Sequence, residues 1–326
     1  MTGRRSRFAR SAALLLPLAA AACATPAPAP RYILEAPPPS PDLVGRLEFH
    51  VASPEDTLVD LAPALEVGYV ELLAANPGVD PWLPKGGTRL VVPRARLLPS
   101  GPREGIVVNL GDLHLYYFEK GRPPRVYPIG IAKDGYETPI GVTTVKSKRE
   151  KPTWIPGPSA RADGKPARVE PGPDNPLGEH ALYLGWPSYL IHGTNEPRGV
   201  GRHSSRGCIR LYPEHIAELY ARVEPGTPVR VVNEPVKLGR IGGMLFIEAN
   251  PDADASLELD ETGKLPAAPL PADLRARVTR AAGKDAPHID WPRVEGAARR
   301  RTGVPIPALL PGSAKGTAAP PPRAAR

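Results

Sequence analysis

A histidine and a cysteine, sixteen residues apart, carry the reactive groups of this chain. Tyr189-Leu190-Ile191-His192-Gly193-Thr194 is an apolar run that ends on an imidazole. Ser204-Ser205-Arg206-Gly207-Cys208-Ile209-Arg210-Leu211 follows, with a thiol between a glycine and a β-branched residue. A thiol attacks carbonyls as thiolate, and free cysteine titrates near pKa ~8.5, so a neighbour must take its proton at neutral pH. A histidine within about 2.6–3.2 Å can take it and later return it to a leaving amine. Gly207 lets the backbone approach closely, and the amides of Gly207 and Cys208 are candidates to hold a developing oxyanion. A lone cysteine or histidine is more often a satisfied core group, but a Gly- and Arg-rich segment makes a poor core, which favours catalysis. The spacing is short enough for one hairpin to join the two.

His192-Gly193-Thr194, followed by Ser205-Arg206-Gly207-Cys208-Ile209-Arg210-Leu211, resembles the L,D-transpeptidase catalytic domain, the YkuD family. The resemblance implies Cys208 as nucleophile and His192 as base in acyl transfer through a thioester. The substrate it implies is a peptidoglycan stem peptide, with D-alanine leaving from an L,D-peptide bond. The acceptor is then a diaminopimelate amine, giving 3-3 cross-links, or a lipoprotein lysine. Hydrolysis of the same stem peptides is the alternative outcome. Many members carry a histidine just before Gly-Cys; here Arg206 stands there, with His203 nearby, and Arg206 would favour thiolate electrostatically. Arg210 is placed to hold a substrate carboxylate or to make a structural ion pair. Gly193, Thr194, Asn195 and Ser205 are candidates to line the pocket. A papain-like peptidase is disfavoured because its cysteine precedes its histidine. No further Cys or His cluster has ligand spacing, so neither a metal nor a cofactor is expected.

Short alternating strands must position these groups. Gly105–Leu110 and Leu113–Phe118 read as a hairpin, followed by Arg125–Gly130 and Thr143–Val145. Residues 147–180 are basic, Pro-rich and without strand periodicity. They read as a long functional loop, and the resemblance implies a lid over the acyl-donor groove, with Trp154 a stacking surface or a core anchor. Ala181–Leu184, the run ending on His192, and Pro228–Val232 complete the strands, with a helix over Pro213–Val223 and His215 on its polar face. The class is mainly β with α (α+β), the catalytic part (103–233) an antiparallel β-sandwich or barrel-like sheet. His114, alone on a hairpin, reads as structural.

Residues 46–95 read as a strand, two short helices and a closing strand, Pro63 shortening the first helix. The unit resembles the LysM module through Asp56-Thr57-Leu58, Ala75-Asn76-Pro77 and Val92-Pro93, which implies contact with N-acetylglucosamine polymers; it alternatively only packs on the catalytic part. A non-catalytic wall-binding protein built on this unit is the rival from another class. Residues 234–312 form a partly helical extension with a strand at Gly243–Glu248 and helices over Pro271–Ala282 and from Asp290 to near Gly303. Residues 313–326 read as a disordered tail.

The N-terminus reads as a targeting segment (1–22): Arg4, Arg5, Arg7 and Arg10 precede an apolar run over 12–22, too short to span a bilayer as a mature helix. Ala20-Ala21-Ala22-Cys23 admits ordinary cleavage or lipoprotein processing with acylation of Cys23. Either reading implies export to the periplasm or envelope, the second with a membrane anchor. Residues 23–45 read as a polyproline-type spacer within a chain that holds 45 prolines in 326 residues. The 2 cysteines leave no structural disulfide if one is acylated and one is a nucleophile. The net charge of +8 is concentrated at the two ends of the chain, so no globally basic, nucleic-acid-binding domain is present.

Overall fold

The computed structural model describes residues 32–312; the expected targeting segment, Cys23, the start of the spacer and the tail from 313 lie outside them. The first part runs α1 (Tyr32–Glu35), β1 (Leu43–Val44), β2 (Glu48–Val51), α2 (Leu58–Ala64), α3 (Tyr69–Ala75), β3 (Arg89–Val92) and β4 (Arg96–Leu97). Thr57 caps α2 by accepting the Asp60 amide, and Pro63 sits inside this seven-residue helix. β2 and β3 pair antiparallel around both helices. The spacer reading is corrected over its second half. Leu34 is buried, Leu43–Val44 pairs with Arg96–Leu97, and Asp42 accepts the Arg240 amide. A few apolar residues among the prolines suffice to bind that stretch to the body.

The middle part runs β5 (Gly105–Asn109), β6 (His114–Phe118), β7 (Arg125–Pro128), β8 (Ile131–Ala132), β9 (Gly141–Glu150), α4 (Pro158–Ala162), β10 (His180–Leu184), β11 (Leu190–His192), β12 (His203–Ser205), β13 (Ile209–Arg210), α5 (Pro213–Arg222) and β14 (Pro228–Val232). Eight strands form one sheet in the order β13-β11-β10-β9-β14-β5-β6-β7. The sheet is mixed, not purely antiparallel as expected: β14 runs parallel to β5, and β11 parallel to β13. Residues 147–150, read as loop, are the end of the ten-residue β9. Their polar side chains, Ser147, Lys148, Arg149 and Glu150, hide strand periodicity because one face is open to solvent.

The last part holds β15 (Val236–Ile241), β16 (Met244–Ala249), α6 (Ala253–Thr262), α7 (Leu274–Ala282), α8 (Trp291–Arg300) and β17 (Ile306–Pro307). β15 and α6 were not apparent in the sequence. One hydrophobic core joins α2 and α3 to the main sheet and α5, and takes in Leu259 of α6. The first part is therefore braced against the loop before Cys208. Tyr212 donates to the Val67 carbonyl, Val70 donates to that of Gly201, and Gly68 and Gly201 touch so closely that a Cβ on Gly201 would lie 2.1 Å from the Gly68 Cα.

Candidate active site

His192 and Cys208 are not joined by a hairpin. His192 ends β11 and Cys208 immediately precedes β13, which runs parallel to β11 with Ile191 opposite Ile209 and His192 opposite Arg210. Register partners share a face, and residues two apart along a strand share it too. Ile191 and Ile209 therefore fill the core beneath α5, while His192, Arg210 and Leu190 share the opposite face, and Cys208, just before β13, meets the Leu190 amide and the field of Arg210. Between these strands the chain leaves the sheet through Pro197–Gly199 and through β12, which pairs with β8 instead.

The His192 side chain is almost wholly buried, at 3% exposure, and Nδ1 lies 2.6 Å from the Gly193 carbonyl. A carbonyl only accepts, so Nδ1 carries the proton and Nε2 keeps its lone pair. Burial, and then the Arg210 cation, hold the imidazole down to about 3, against the pull of the Gly193 carbonyl. Cys208 is half-buried, and its Sγ donates at 3.5 Å to the Ser188 carbonyl, not to the imidazole. Burial pushes this thiol up, and the Leu190 amide and Arg210 offset part of that. The resting pair is a neutral thiol beside a neutral imidazole. The contact that would transfer the proton is absent here, as is common before substrate tightens a site.

The turn that presents the thiol is clamped. Ser205 Oγ donates to the Cys208 carbonyl at 2.6 Å and accepts the Gly207 amide at 3.1 Å. Thr138 Oγ1 donates to the Gly207 carbonyl at 3.0 Å. In a trans peptide the carbonyl and the next amide point opposite ways, so the Cys208 N–H faces away from Thr138. The expectation that both amides serve an oxyanion is thus corrected: the Gly207 amide is taken by Ser205, which leaves that of Cys208 as the candidate. Gly207 has φ +118, and a Cβ there would meet the Glu137 carbonyl at 2.9 Å and the Tyr189 ring at 3.0 Å. Ser188 is held at φ +68 in the turn between β10 and β11. Thr138 and Ser188 were missed in the sequence, because nothing local ties them to residue 208.

The other expected residues divide. Arg210 is on the reactive face; its Nε is buried without a partner, and Glu196 and the thiol are the groups that favour its charge. Arg206, expected to favour thiolate, instead holds Tyr136 at 2.8 Å and pairs with Asp163 just after α4. The charge acting on the thiol is that of Arg210. His203 bonds the Ala132 carbonyl and Ser256 of α6, away from the thiol. Ser205, at the end of β12, and Thr194 are buried, Thr194 accepting the Glu196 amide, so neither side chain is open to a pocket. Gly193 lies beside Ile216 and the Leu177 carbonyl, and Asn195 donates to the Asp174 carbonyl. Trp154 is half-buried and bridges Val169, inside the loop expected to be a lid. His215, expected at the surface, is mostly enclosed between the rings of Tyr127 and Tyr212.

Two cavities lie elsewhere. One of about 510 Å³ is lined by Glu66, Arg94, Tyr127 and His215. The other, about 640 Å³, lies between Pro77 and Trp82 on one side and Lys264 and Leu265 on the other.

Residues 103–231 match the YkuD family, described as the L,D-transpeptidase catalytic domain. The Escherichia coli K12 protein named "Probable L,D-transpeptidase YcfS" is 39% identical over 315 residues, covering 93% of this chain and 95% of that protein. "Probable L,D-transpeptidase ErfK/SrfK" of the same strain is 38% identical over 287 residues, covering 83% and 88%. "Probable L,D-transpeptidase YbiS" is 39% identical over 257 residues, covering 75% and 81%. Identity of this degree extends well beyond the matched domain and over nearly the full length of the first of these relatives, and on that ground the chain belongs to the L,D-transpeptidase family of transferases.

Proposed function

We propose that the chain transfers the acyl group of a peptidoglycan stem peptide through a thioester on Cys208, with His192 as the base. The observation that carries this reading is that Arg210, opposite His192 and two residues from Cys208, acts on both groups, with His192 Nδ1 locked so that Nε2 is the free lone pair. Nε2 takes the Sγ proton as sulfur attacks the carbonyl of the L-centre. The Cys208 amide holds the oxyanion, and Arg210, a cation with a buried unpartnered Nε, holds a substrate carboxylate. The tetrahedral intermediate collapses, the C–N bond breaks, and D-alanine leaves with the proton from Nε2. An acceptor amine then attacks the thioester, gives its proton to Nε2 and releases the thiol. The loop over 151–179, with Trp154, limits the water that would otherwise hydrolyse the thioester.

The test is muropeptide mass spectrometry of strains carrying wild type or Cys208→Ala. A product present only with wild type supports the reading. A 3-3 dimer, a lipoprotein-linked stem or a shortened stem identifies the acceptor as another stem peptide, a lipoprotein or water. Identical muropeptides in both strains contradict it.

The first part is read as a LysM-like glycan-contacting unit. In support, Trp82 is 67% exposed at the rim of the 640 Å³ cavity. Trp82→Ala should weaken sedimentation with purified peptidoglycan; unchanged sedimentation refutes this. Export follows from the basic and apolar N-terminus, and a lipid anchor at Cys23 predicts that Cys23→Ser moves the protein out of the membrane fraction.

A further inference from the structure

The face that carries the thiol extends beyond the two strands that hold it. His192 is opposite Ala181 on β10, and Ala181 is opposite Arg149 on β9. Leu190 is likewise opposite Tyr183, and Tyr183 opposite Ser147. A row of side chains therefore runs Arg210, His192, Ala181, Arg149 across four adjacent strands. A parallel row runs through Leu190, Tyr183 and Ser147. The bulge between Tyr183 and Leu184 switches the parity of β9, which turns Val145 into the core yet leaves Ser147 and Arg149 on the reactive side.

Arg149 is exposed, and among the described residues no acid pairs with it. Glu150, next in the chain, is opposite His180 and therefore on the α5 face. Of the four acids in the loop over 151–179, Glu170 is committed to Arg168 and Asp163 to Arg206, and neither Asp174 nor Glu179 forms an ion pair with Arg149. Arg149 is thus a cation at the root of the loop, two strands from His192. Strands lie about 4.8 Å apart, so its backbone is roughly 10 Å from that of His192 and roughly 14 Å from that of Arg210. An extended peptide covers about 3.3 Å per residue, so the backbones of the two arginines stand about four residues apart along this row, with Cys208 at the Arg210 end of it.

The geometry points to a second anion subsite: Arg149 binds a carboxylate of the acyl donor on the side of the scissile bond away from Arg210. This rests on the reading of Cys208 as nucleophile and adds to it the orientation of the donor. The donor crosses the strands, its leaving end toward β13 and its other end over β10 and β9, with the Tyr183 ring beneath. A guanidinium is suited to this because its fork matches a carboxylate in two hydrogen bonds.

The experiment uses two synthetic donor tetrapeptides, alike except that the carboxylate on the N-terminal side of the scissile bond is free in one and a primary amide in the other. Acylation of Cys208 is followed by intact mass on wild type, Arg149→Gln and Arg149→Lys, each checked for an unchanged melting temperature. Wild type is expected to prefer the free carboxylate about five- to tenfold in kcat/KM, the size of one partly exposed charged pair, with the difference in KM. Arg149→Gln is expected to erase the preference and Arg149→Lys to keep part of it. A preference that survives in Arg149→Gln overturns the subsite alone. If wild type forms no acyl-enzyme with either donor, the reading of Cys208 falls and the subsite falls with it.

Discussion

The thiol and the imidazole are each held in the neutral form by burial, and this decides how the reaction must begin. An ion pair at rest would need a depressed cysteine and a raised histidine; here the shifts run the other way. On the proposed mechanism the thiolate therefore forms only as His192 takes the proton in the presence of substrate. With iodoacetamide and no substrate, alkylation of Cys208 should be slow at pH 6 to 8 and rise through and above pH ~9, the range of an unassisted or raised thiol. A rate already on a plateau at pH 6 would show a resting ion pair and contradict this. Gly207 is the companion constraint. Gly207→Ala combines a φ of +118 with a clash against the Glu137 carbonyl, and should cost about 1–3 kcal/mol in stability and most of the activity. At this scale the sequence was informative, because His, Cys and Gly at fixed spacing carry their chemistry with them. Thr138 was not legible: its contact with the Gly207 carbonyl spans 69 residues.

Strands were legible one by one and their pairing was not. Ile191 and Ile209 show the same alternation whether their strands run parallel or antiparallel, so the hairpin expectation had no local signal to correct it. The end of β9 was hidden for another reason, since Lys146, Ser147, Arg149 and Glu150 are all exposed and resemble loop. The loop over 151–179 has its own staple. Asn175 is fully buried, donates to the Pro152 carbonyl at 2.8 Å and accepts the Leu177 amide at 2.9 Å. Asn175→Ala removes both and leaves buried backbone groups unpaired, a local cost of about 2 kcal/mol. Hydrogen exchange over 151–179 should speed up roughly thirtyfold, since 1.4 kcal/mol is tenfold, and hydrolysis should gain on transfer. Unchanged exchange in that segment would remove Asn175 from this role.

The three parts of the chain meet at a buried ionic junction. Lys237 of β15 reaches Asp112 at 2.6 Å, Tyr116 at 2.8 Å, the Leu97 carbonyl at 2.7 Å and Glu248 at 2.8 Å. Beside it, Arg96 holds Glu71 at 3.0 Å and lies against His114, so the structural role read for that histidine has named partners. Lys237→Met leaves Asp112 and Glu248 buried without their cation and should cost about 3–5 kcal/mol, seen as a lower urea midpoint. The junction also sets acid sensitivity. Burial alone would raise the Glu71 carboxyl, but Arg96 and His114 outweigh it and bring it down to about 2. Both Glu71 and His192 have folded values below their unfolded ones, so their contribution is complete above the unfolded value and lost as pH falls toward the folded one. The melting temperature should decline from pH ~6.5 toward 3, first through His192 and then through Glu71; a flat profile over that range would contradict these environments. Apart from His114, this junction was not legible, since Glu71 and Asp112 are far in the chain from Lys237 and Glu248 and each resembles an ordinary surface charge.

The thioester on Cys208 is the claim on which the rest depends, and intact-mass spectrometry of the purified protein with a donor tetrapeptide measures it most directly. The account predicts an adduct equal to the donor less D-alanine, carried on Cys208, absent from Cys208→Ala and strongly slowed in His192→Ala. No adduct on wild type, or one that persists without the cysteine, would contradict it.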